Sequence, residues 1–140
     1  MSQPASAPPL YESAVRVGDL LFISGQLPIG DDGVQHPGFV GRDVTVEQAR
    51  QAAALATRRC LDIARAELGS LDAIKGIARL GGYVAVGEGF TDAPAVVDAA
   101  SQVARDELGD RGRHARLALG VASLPLGSCV EIETAVQCWR

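Results

Sequence analysis

The side chains best suited to chemistry lie between residues 113 and 137, where two apolar arms flank a Pro-Leu-Gly-Ser break. The first arm contains Arg116, and the second contains Glu131 and Glu133. An arginine fork can hold a carboxylate through two parallel hydrogen bonds and does not deprotonate in proteins. A glutamate can take and return a proton when its surroundings bring its pKa towards neutrality. These residue types predict a site for a small anion, or a surface that binds another subunit.

The two arms predict a β-hairpin, because apolar runs on each side of a turn sequence are typical of paired strands. Successive strand side chains point to opposite faces, so each arm divides into a core face and a second face. The predicted core face carries Ala115, Leu117, Leu119, Val121, Val130, Ile132, Thr134 and Val136. The second face carries Arg116, Ala118, Gly120, Ala122, Glu131, Glu133, Ala135 and Gln137.

If this hairpin forms, Arg116 and Glu131 of one chain lie too far apart to contact the same substrate. If the chain turns around Leu126 and Gly127, Ala122 lies opposite Glu131, and Arg116 is ~20 Å farther along at ~3.4 Å per residue. Two side chains that act on one substrate must then come from neighbouring subunits, unless a bulge distorts the arm. Association is also expected because monomers seldom expose a large apolar patch.

The rest of the chain predicts the order ββ, helix, β, helix, ββ, which favours an α+β layer with two helices on one face of a sheet. The predicted elements are a hairpin turning at 17–19 with its second strand at 20–24, a loop at 29–42, a helix over 45–68 that begins with a capping box, a strand over 71–86 and a helix from about 91 to 108. Within the long strand, Gly81 and Gly82 predict a bulge or a close backbone approach.

Composition predicts one domain of 140 residues, with residues 1–10 flexible and residues 11–140 folded. The net charge of -4 argues against a nucleic-acid groove, since phosphate binding requires clustered Lys and Arg. No apolar run approaches the roughly 20 residues that span a bilayer, so no membrane partner is expected.

Cysteine and histidine usage predicts neither a metal site nor thiol chemistry. The three cysteines, at positions 60, 129 and 138, form an odd set without paired spacing, which indicates a reduced, cytoplasmic protein. None of them has a neighbouring motif for nucleophilic catalysis. His36 and His114 show no ligand spacing with the cysteines.

Four motifs are informative when they are taken together. They are Tyr11 with Ser24-Gly25-Gln26 thirteen positions later, Ala115-Arg116, the Ser123-Leu124-Pro125 break, and Val130-Glu131-Ile132-Glu133. Over residues 11–137 the chain resembles the RidA (YjgF) family of reactive-intermediate deaminases. The resemblance implies a chorismate-mutase-like fold, with about six strands in one mixed sheet, two helices on one face, and a homotrimer with sites in clefts between subunits. It also implies hydrolysis of small 2-imino or enamine carboxylic acids to 2-keto acids and ammonia without a cofactor.

Position by position, the resemblance assigns three catalytic roles. Arg116 resembles the arginine that grips the substrate carboxylate, Glu131 the acid that orients or activates the hydrolytic water, and Tyr11 the tyrosine that lines the pocket. Ser24 and Gly25 resemble the segment whose backbone closes the cleft.

Two positions depart from the family pattern. Ala118 stands where the typical deaminase has a cysteine, although backbone groups there can still reach the imine and keep Ala118 a candidate binding residue. Asp98 stands where an asparagine is frequent, and its charge would disfavour a second substrate carboxylate. The segments GRHAR, GVASLPL and GFTDAP resemble a less characterised branch of the family, which leaves the natural substrate open.

The same residues allow other interpretations. The cleft could belong to a non-catalytic protein that binds small carboxylates, or to an endoribonuclease, although the acidic composition argues against the latter. Arg116 could instead form an interfacial salt bridge, Glu131 and Glu133 an exposed or interfacial pair, and Tyr11 an anchor for the first strand.

Overall fold

A computed structural model describes residues 8–139, so most of the segment predicted to be flexible, residues 1–10, lies outside the described residues. The described residues form β1 (Ala14–Val17), β2 (Leu20–Gln26), β3 (Ile29–Gly30), β4 (Gly33–Val34), α1 (Val46–Leu68), β5 (Ile74–Ala85), α2 (Ala93–Leu108), β6 (Ala115–Val121) and β7 (Val130–Cys138). The predicted order of elements is confirmed, with a short β3–β4 ribbon added inside the segment predicted as a loop.

The two helices begin where the sequence predicts. At the start of α1, the Thr45 hydroxyl accepts a hydrogen bond from the Gln48 backbone while the Gln48 side chain accepts one from the Thr45 backbone, so the capping box is confirmed. Asp92 caps α2, and Pro94 lies in its first turn. Helix α1 packs on β2 and β7, while α2 packs on β5 and β6.

Five strands form one mixed sheet in the order β1-β2-β7-β5-β6, and β3 and β4 form a separate ribbon. Strands β5 and β6 are parallel, whereas the other neighbours in the sheet are antiparallel. The predicted hairpin between β6 and β7 is therefore wrong, because β5 lies between them. The connection leaves the sheet through a short turn at Pro125–Gly127, in which Leu126 has a left-handed φ of 58°.

Strand register determines which side chains share a face. Arg116 pairs with Leu80, which pairs with Thr134, and both of these partners are buried beneath the helices. Arg116 therefore lies on the helix side of the sheet, and its predicted placement on the face of Glu131 is wrong. Glu131 pairs with Tyr83 on the other side. On β7 the predicted alternation is confirmed, with Val130, Ile132, Thr134 and Val136 buried.

The side of the sheet that faces away from α1 and α2 is called the outer face below. Its central strands carry a group of polar side chains: Arg79, Tyr83, Glu131 and Glu133. Large apolar side chains flank this group and are half exposed: Val15, Phe22 and Leu119. The outer face thus combines a polar centre with an apolar border.

The two adjacent glycines of β5 bring α2 down onto the sheet. Both stay in register with β6 and β7, so the predicted bulge is wrong; the bulges of β5 lie earlier, at residues 74–76 and 77–79. The predicted close approach is confirmed, because a Cβ atom on Gly82 would overlap the side chain of Val97 in α2. This contact sets the height of Asp98, the next residue of the helix, above β6.

Candidate active site

Arg116 lies on the edge strand β6, and its guanidinium reaches α2. Its Nη1 atom donates hydrogen bonds to Asp98 Oδ1 at 2.6 Å and to Ser101 Oγ at 3.3 Å. Asp98 and Ser101 share a helix face because they are three residues apart. Both bonds use Nη1, and among residues 8–139 no partner is found for Nε or Nη2. The Arg116 side chain is 26% exposed, so a ligand can reach part of it.

Glu131 lies on the outer face, half buried against the backbone of β2. A bulge at residues 23–26 places Gly25 so close that a Cβ atom there would lie 2.5 Å from Glu131 Oε1. Burial raises the pKa of Glu131, and the neighbouring charge of Glu133 raises it further. A carboxyl group that binds its proton more tightly is suited to proton transfer nearer neutral pH.

Ser24 holds the chain segment that follows Tyr11. Its hydroxyl donates to the carbonyl oxygen of Glu12 at 2.7 Å, and its backbone N–H donates to that of Ser13 at 2.9 Å. The Tyr11 residue is 69% exposed. The segment after Tyr11 therefore lies beside the bulge that contacts Glu131. Three of the predicted site residues, Ser24, Gly25 and Glu131, lie together at one end of the sheet.

A second polar group on the outer face was missed by the sequence analysis. The Tyr83 hydroxyl donates to Glu133 Oε1 at 2.6 Å, and Arg79 Nη1 lies 3.8 Å from the same oxygen. The hydrogen bond to the Glu133 carboxylate is the main cause of a raised Tyr83 pKa, and burial adds to it. The period-two spacing of Arg79, Gly81 and Tyr83 on a strand was the available signal.

A cavity of about 220 Å³ opens beside this polar group. Its walls combine apolar side chains with the Arg79–Glu133 ion pair: Val15, Phe22, Ile23, Ser24, Arg79, Glu133, Thr134 and Ala135. The cavity reaches the β2 bulge through Ser24, and its lining includes Glu133, the next outward-facing residue of β7 after Glu131.

One chain does not bring Arg116 and Glu131 together. Strand β5 lies between their strands, and the two side chains lie on opposite faces. Arg116 is level with Thr134, three residues from Glu131, so their Cα atoms are about 14 Å apart at ~3.3 Å per residue and ~4.8 Å per strand. The predicted distance of ~20 Å between Arg116 and Glu131 assumed a β6–β7 hairpin, which is wrong, and the actual distance is shorter. The two residues of one chain are nevertheless too far apart to act on one small substrate.

Ala118 lies two residues after Arg116 on the same side of β6, opposite Gly82. It is half buried against the core under the helices. Ala118 therefore belongs to the Arg116 half of the candidate site and not to the Glu131 half.

Burial affects the cysteine thiols. All three are free and buried. Burial raises the pKa of Cys60 to about 12 and that of Cys129 to about 11, so both stay protonated near neutral pH. Within residues 8–139, no three His, Cys, Asp or Glu side chains gather closely enough to hold a metal ion. None of the described helices is long and apolar enough to cross a membrane.

Comparison with known proteins identifies the family. A family model described as "YjgF/chorismate mutase-like, putative endoribonuclease" matches residues 1–135. The chain belongs to the YjgF family. Its resemblance to RidA (YjgF) proteins is thereby confirmed, as is the YjgF fold of two helices packed on one mixed sheet. The sheet has five strands where about six were expected.

Relatives of this YjgF protein match it along nearly its whole length. Protein TCP17 of Trypanosoma cruzi is 37% identical over 137 residues, which are 96% of this chain and 86% of the relative. Atu1372 of Agrobacterium tumefaciens, solved as a protein with unknown function, is 38% identical with a TM-score of 0.90, covering 96% of this chain and 86% of that one. A "putative endoribonuclease" from Shewanella oneidensis MR-1 is 30% identical with a TM-score of 0.89, covering 97% and 90%.

Proposed function

We propose that this YjgF protein is a cofactor-free hydrolase that converts small 2-imino or enamine carboxylic acids to 2-keto acids and ammonia. The observation that carries the proposal is the Glu131 carboxyl, which has a raised pKa and packs on the Gly25 backbone. The neighbouring Ser24 and Glu133 line a small cavity. Arg116, on the other side of the sheet, supplies a guanidinium edge that a carboxylate can bind. The family resemblance supplies the reaction class.

In this proposal Glu131 moves the proton. It takes a proton from water as the water oxygen bonds to the imine carbon, and it returns a proton to the nitrogen. Glu131 then takes the hydroxyl proton of the carbinolamine and passes it to the amino nitrogen. Ammonia leaves as the C–N bond breaks and the C=O bond forms, so imine and water yield keto acid and ammonia. Tyr11 lines the pocket, and the backbone of Ser24 and Gly25 closes it.

Arg116 anchors the substrate. Its Nε and Nη2 atoms bind the substrate carboxylate while Nη1 stays on Asp98 and Ser101. The backbone at Ala118, on the same side of β6, lies along the bound acid. A fixed carboxylate holds the imine carbon where the water can attack it, and such positioning supplies much of the acceleration in reactions of this kind.

The two halves of the site meet in a homotrimer, where Arg116 of one subunit approaches Glu131 of the next. The apolar border of the outer face supports association, since Val15, Phe22 and Leu119 are 44–51% exposed. The proposed ligand is a small carboxylate and neither a nucleic acid nor a membrane. Three buried free thiols suit a reducing, cytoplasmic setting.

Stopped-flow hydrolysis of freshly generated 2-imino acids tests the reaction. We expect acceleration over buffer, loss of most activity in R116K because a point charge cannot reproduce the guanidinium fork, and loss of most activity in E131Q. The matched controls R113K and E88Q change exposed residues and should retain activity. No acceleration of any of several 2-imino acids by correctly assembled protein would contradict the proposal.

Mixing two inactive variants tests whether the site is shared. When R116K and E131Q chains are co-expressed in equal amounts, random assembly gives both native residues to about a quarter of the sites if each site combines two subunits. Partial recovery of activity is then expected. If both residues acted within one chain, no mixed trimer would contain a complete site and the mixture would stay inactive.

Two alternatives have specific support. The Asp98 carboxylate on Arg116 favours a protein that binds keto acids without turnover, which calorimetry combined with an absence of imine hydrolysis would reveal. The description of the family model favours an endoribonuclease, although the net charge of -4 does not. RNA cleavage that is lost in repurified R116K would support that activity; cleavage that disappears from the native protein on further purification would remove it.

A further inference from the structure

A chain of hydrogen bonds continues from Arg116 into the protein. Ser101 Oγ, which accepts from Arg116 Nη1, lies 2.8 Å from His114 Nε2, and His114 Nδ1 lies 2.6 Å from the carbonyl oxygen of Gly112. Ser101 and His114 are half buried. Neither residue belongs to the reaction described above, and both lie on the Arg116 side of the sheet.

The direction of each bond follows from its partners. A carbonyl oxygen only accepts, so His114 donates from Nδ1 to Gly112, and in that tautomer Nε2 is an acceptor. Ser101 therefore donates its hydroxyl hydrogen to His114, and the lone pairs of its oxygen are left to accept from Arg116. The chain of donors runs without conflict from Arg116 through Ser101 and His114 to Gly112.

The local fold builds this arrangement from the segment before β6. His114 lies two residues before Arg116, so in extended backbone both side chains point to the same side. Gly112 allows the preceding turn to lie directly on α2, since a Cβ atom there would collide with the Ala104 carbonyl group. The GRHAR segment, residues 112–116, thus places the His114 imidazole against Ser101, on the side of the serine away from Arg116.

We propose that Ser101 and His114 are positioning residues, which hold the Arg116 guanidinium in the orientation that binds a ligand carboxylate. The inference rests on the proposed function, in which Arg116 is the carboxylate anchor. Asp98 alone holds the arginine loosely, because its side chain is 60% exposed and such ion pairs are weak. The hydrogen bond to His114 fixes the Ser101 hydroxyl. The fixed hydroxyl in turn restrains Nη1 of Arg116 before the ligand binds.

Four variants separate this role from a structural one. S101A removes the acceptor for Arg116, whereas S101T retains a hydroxyl. H114N retains an N–H group near Nδ1 for Gly112 but loses the acceptor at Nε2, whereas H114Q can place an amide oxygen near Nε2 for Ser101. Thermal unfolding of each variant records any general loss of stability.

The affinity readout is calorimetry with 2-oxobutanoate, accompanied by imine hydrolysis kinetics. We expect S101A and H114N to weaken binding about five- to tenfold, as for loss of one hydrogen bond, and S101T and H114Q to recover most of it. In the kinetics KM should rise while kcat changes little, because the carboxylate is held equally in substrate and transition state. Unchanged binding in S101A and H114N would overturn the inference, as would weakening that follows unfolding temperature in all four variants.

A ligand-free readout separates this inference from the proposed function. Nitrogen-resolved NMR follows the exchange of the Arg116 Nη1 protons with water, which should be faster in S101A and H114N than in the native protein. If the native protein neither binds 2-oxobutanoate nor hydrolyses imines, the proposed function fails. The exchange rates then still decide whether Ser101 and His114 restrain the guanidinium, and equal rates in all proteins would contradict that restraint.

Discussion

The Nη1 atom of Arg116 donates a 2.6 Å hydrogen bond to Oδ1 of Asp98, so the candidate anchor for a substrate carboxylate already carries a carboxylate from its own chain. The pair lies at the sheet edge, and the Asp98 side chain is largely exposed. An exposed ion pair is worth only about 0–1 kcal/mol, so it does not prevent a ligand from using the free edge of the guanidinium. It does lower the net positive charge that the ligand meets.

Replacing Asp98 by Asn should change which acids bind. The amide oxygen can still accept from Arg116, but the negative charge that repels a second ligand carboxylate is gone. We expect D98N to improve the affinity for the dicarboxylate 2-oxoglutarate about three- to tenfold more than that for 2-oxobutanoate, measured by calorimetry. D106N, an exposed change elsewhere on α2, is the control. An equal change for both acids would show that Asp98 does not set charge preference.

The strands illustrate what local pattern can and cannot predict. On β7 the large apolar residues share one face, while Glu131, Glu133 and Gln137 share the other, so the core face follows from the sequence and is confirmed. On β6 both faces are made of small or apolar residues except for Arg116, so alternation identifies two faces without indicating which one meets the helices. Adjacency in the chain favours a β6–β7 hairpin, but parallel pairing of β6 with β5 depends on contacts distant in sequence.

The candidate site, like the strands, could be predicted only in part from the sequence. The end of the outer face that holds Glu131 follows from motif positions in β2 and β7, which are neighbours in the sheet. The residues around Arg116 could not be predicted, because they come from α2. The distance of α2 from the sheet depends on the contact between Gly82 and Val97, which are distant in sequence. Once α2 is placed, the three-residue spacing of Asp98 and Ser101 explains why both reach the guanidinium.

Adding one methyl group at Gly25 should disable the site without unfolding the protein. The Ala Cβ atom would lie 2.5 Å from Glu131 Oε1 and push that carboxyl aside, at little cost because the end of a glutamate is flexible. A displacement of about 1 Å at a reacting group can cost about a hundredfold in rate, so G25A should lose about that much imine hydrolysis. G76A is the control, since its Cβ atom has no contact closer than 3.8 Å. Equal activity of G25A and G76A would contradict the assignment of Glu131.

The raised pKa of Glu131 predicts a pH-dependent stability. Between the unfolded pKa of about 4.3 and the higher folded pKa, the folded state binds more protons than the unfolded state, so stability falls as pH rises through that window. E131Q removes this penalty and should unfold at a higher temperature than the native protein near pH 7, with the difference vanishing below about pH 4. Thermal unfolding across pH 4–8 measures it, with exposed E88Q as the control. Parallel curves for native protein and E131Q would rule out a raised pKa.

The contact between Gly82 and Val97 should be detectable by a double mutant. G82A places a methyl group against the Val97 side chain, and such overpacking costs about 1–3 kcal/mol of unfolding free energy. V97A leaves room for that methyl group, so the double variant should be more stable than the sum of the single effects predicts. Denaturant unfolding of the four proteins gives the coupling, and strict additivity would show that α2 does not rest on β5 at this point.

A charge on the outer face should separate the subunits. Phe22 is 48% exposed there, and burying an aspartate in an apolar interface without a partner is costly, so F22D should dissociate the proposed trimer. Imine hydrolysis should fall in parallel, because the Arg116 and Glu131 halves then lie on separate molecules. Leu126, which is 73% exposed on the connection outside the sheet, provides the control variant L126D, which should stay assembled. Sedimentation velocity measures both variants, and an F22D protein that remains trimeric and active would place the subunit interface elsewhere on the molecule.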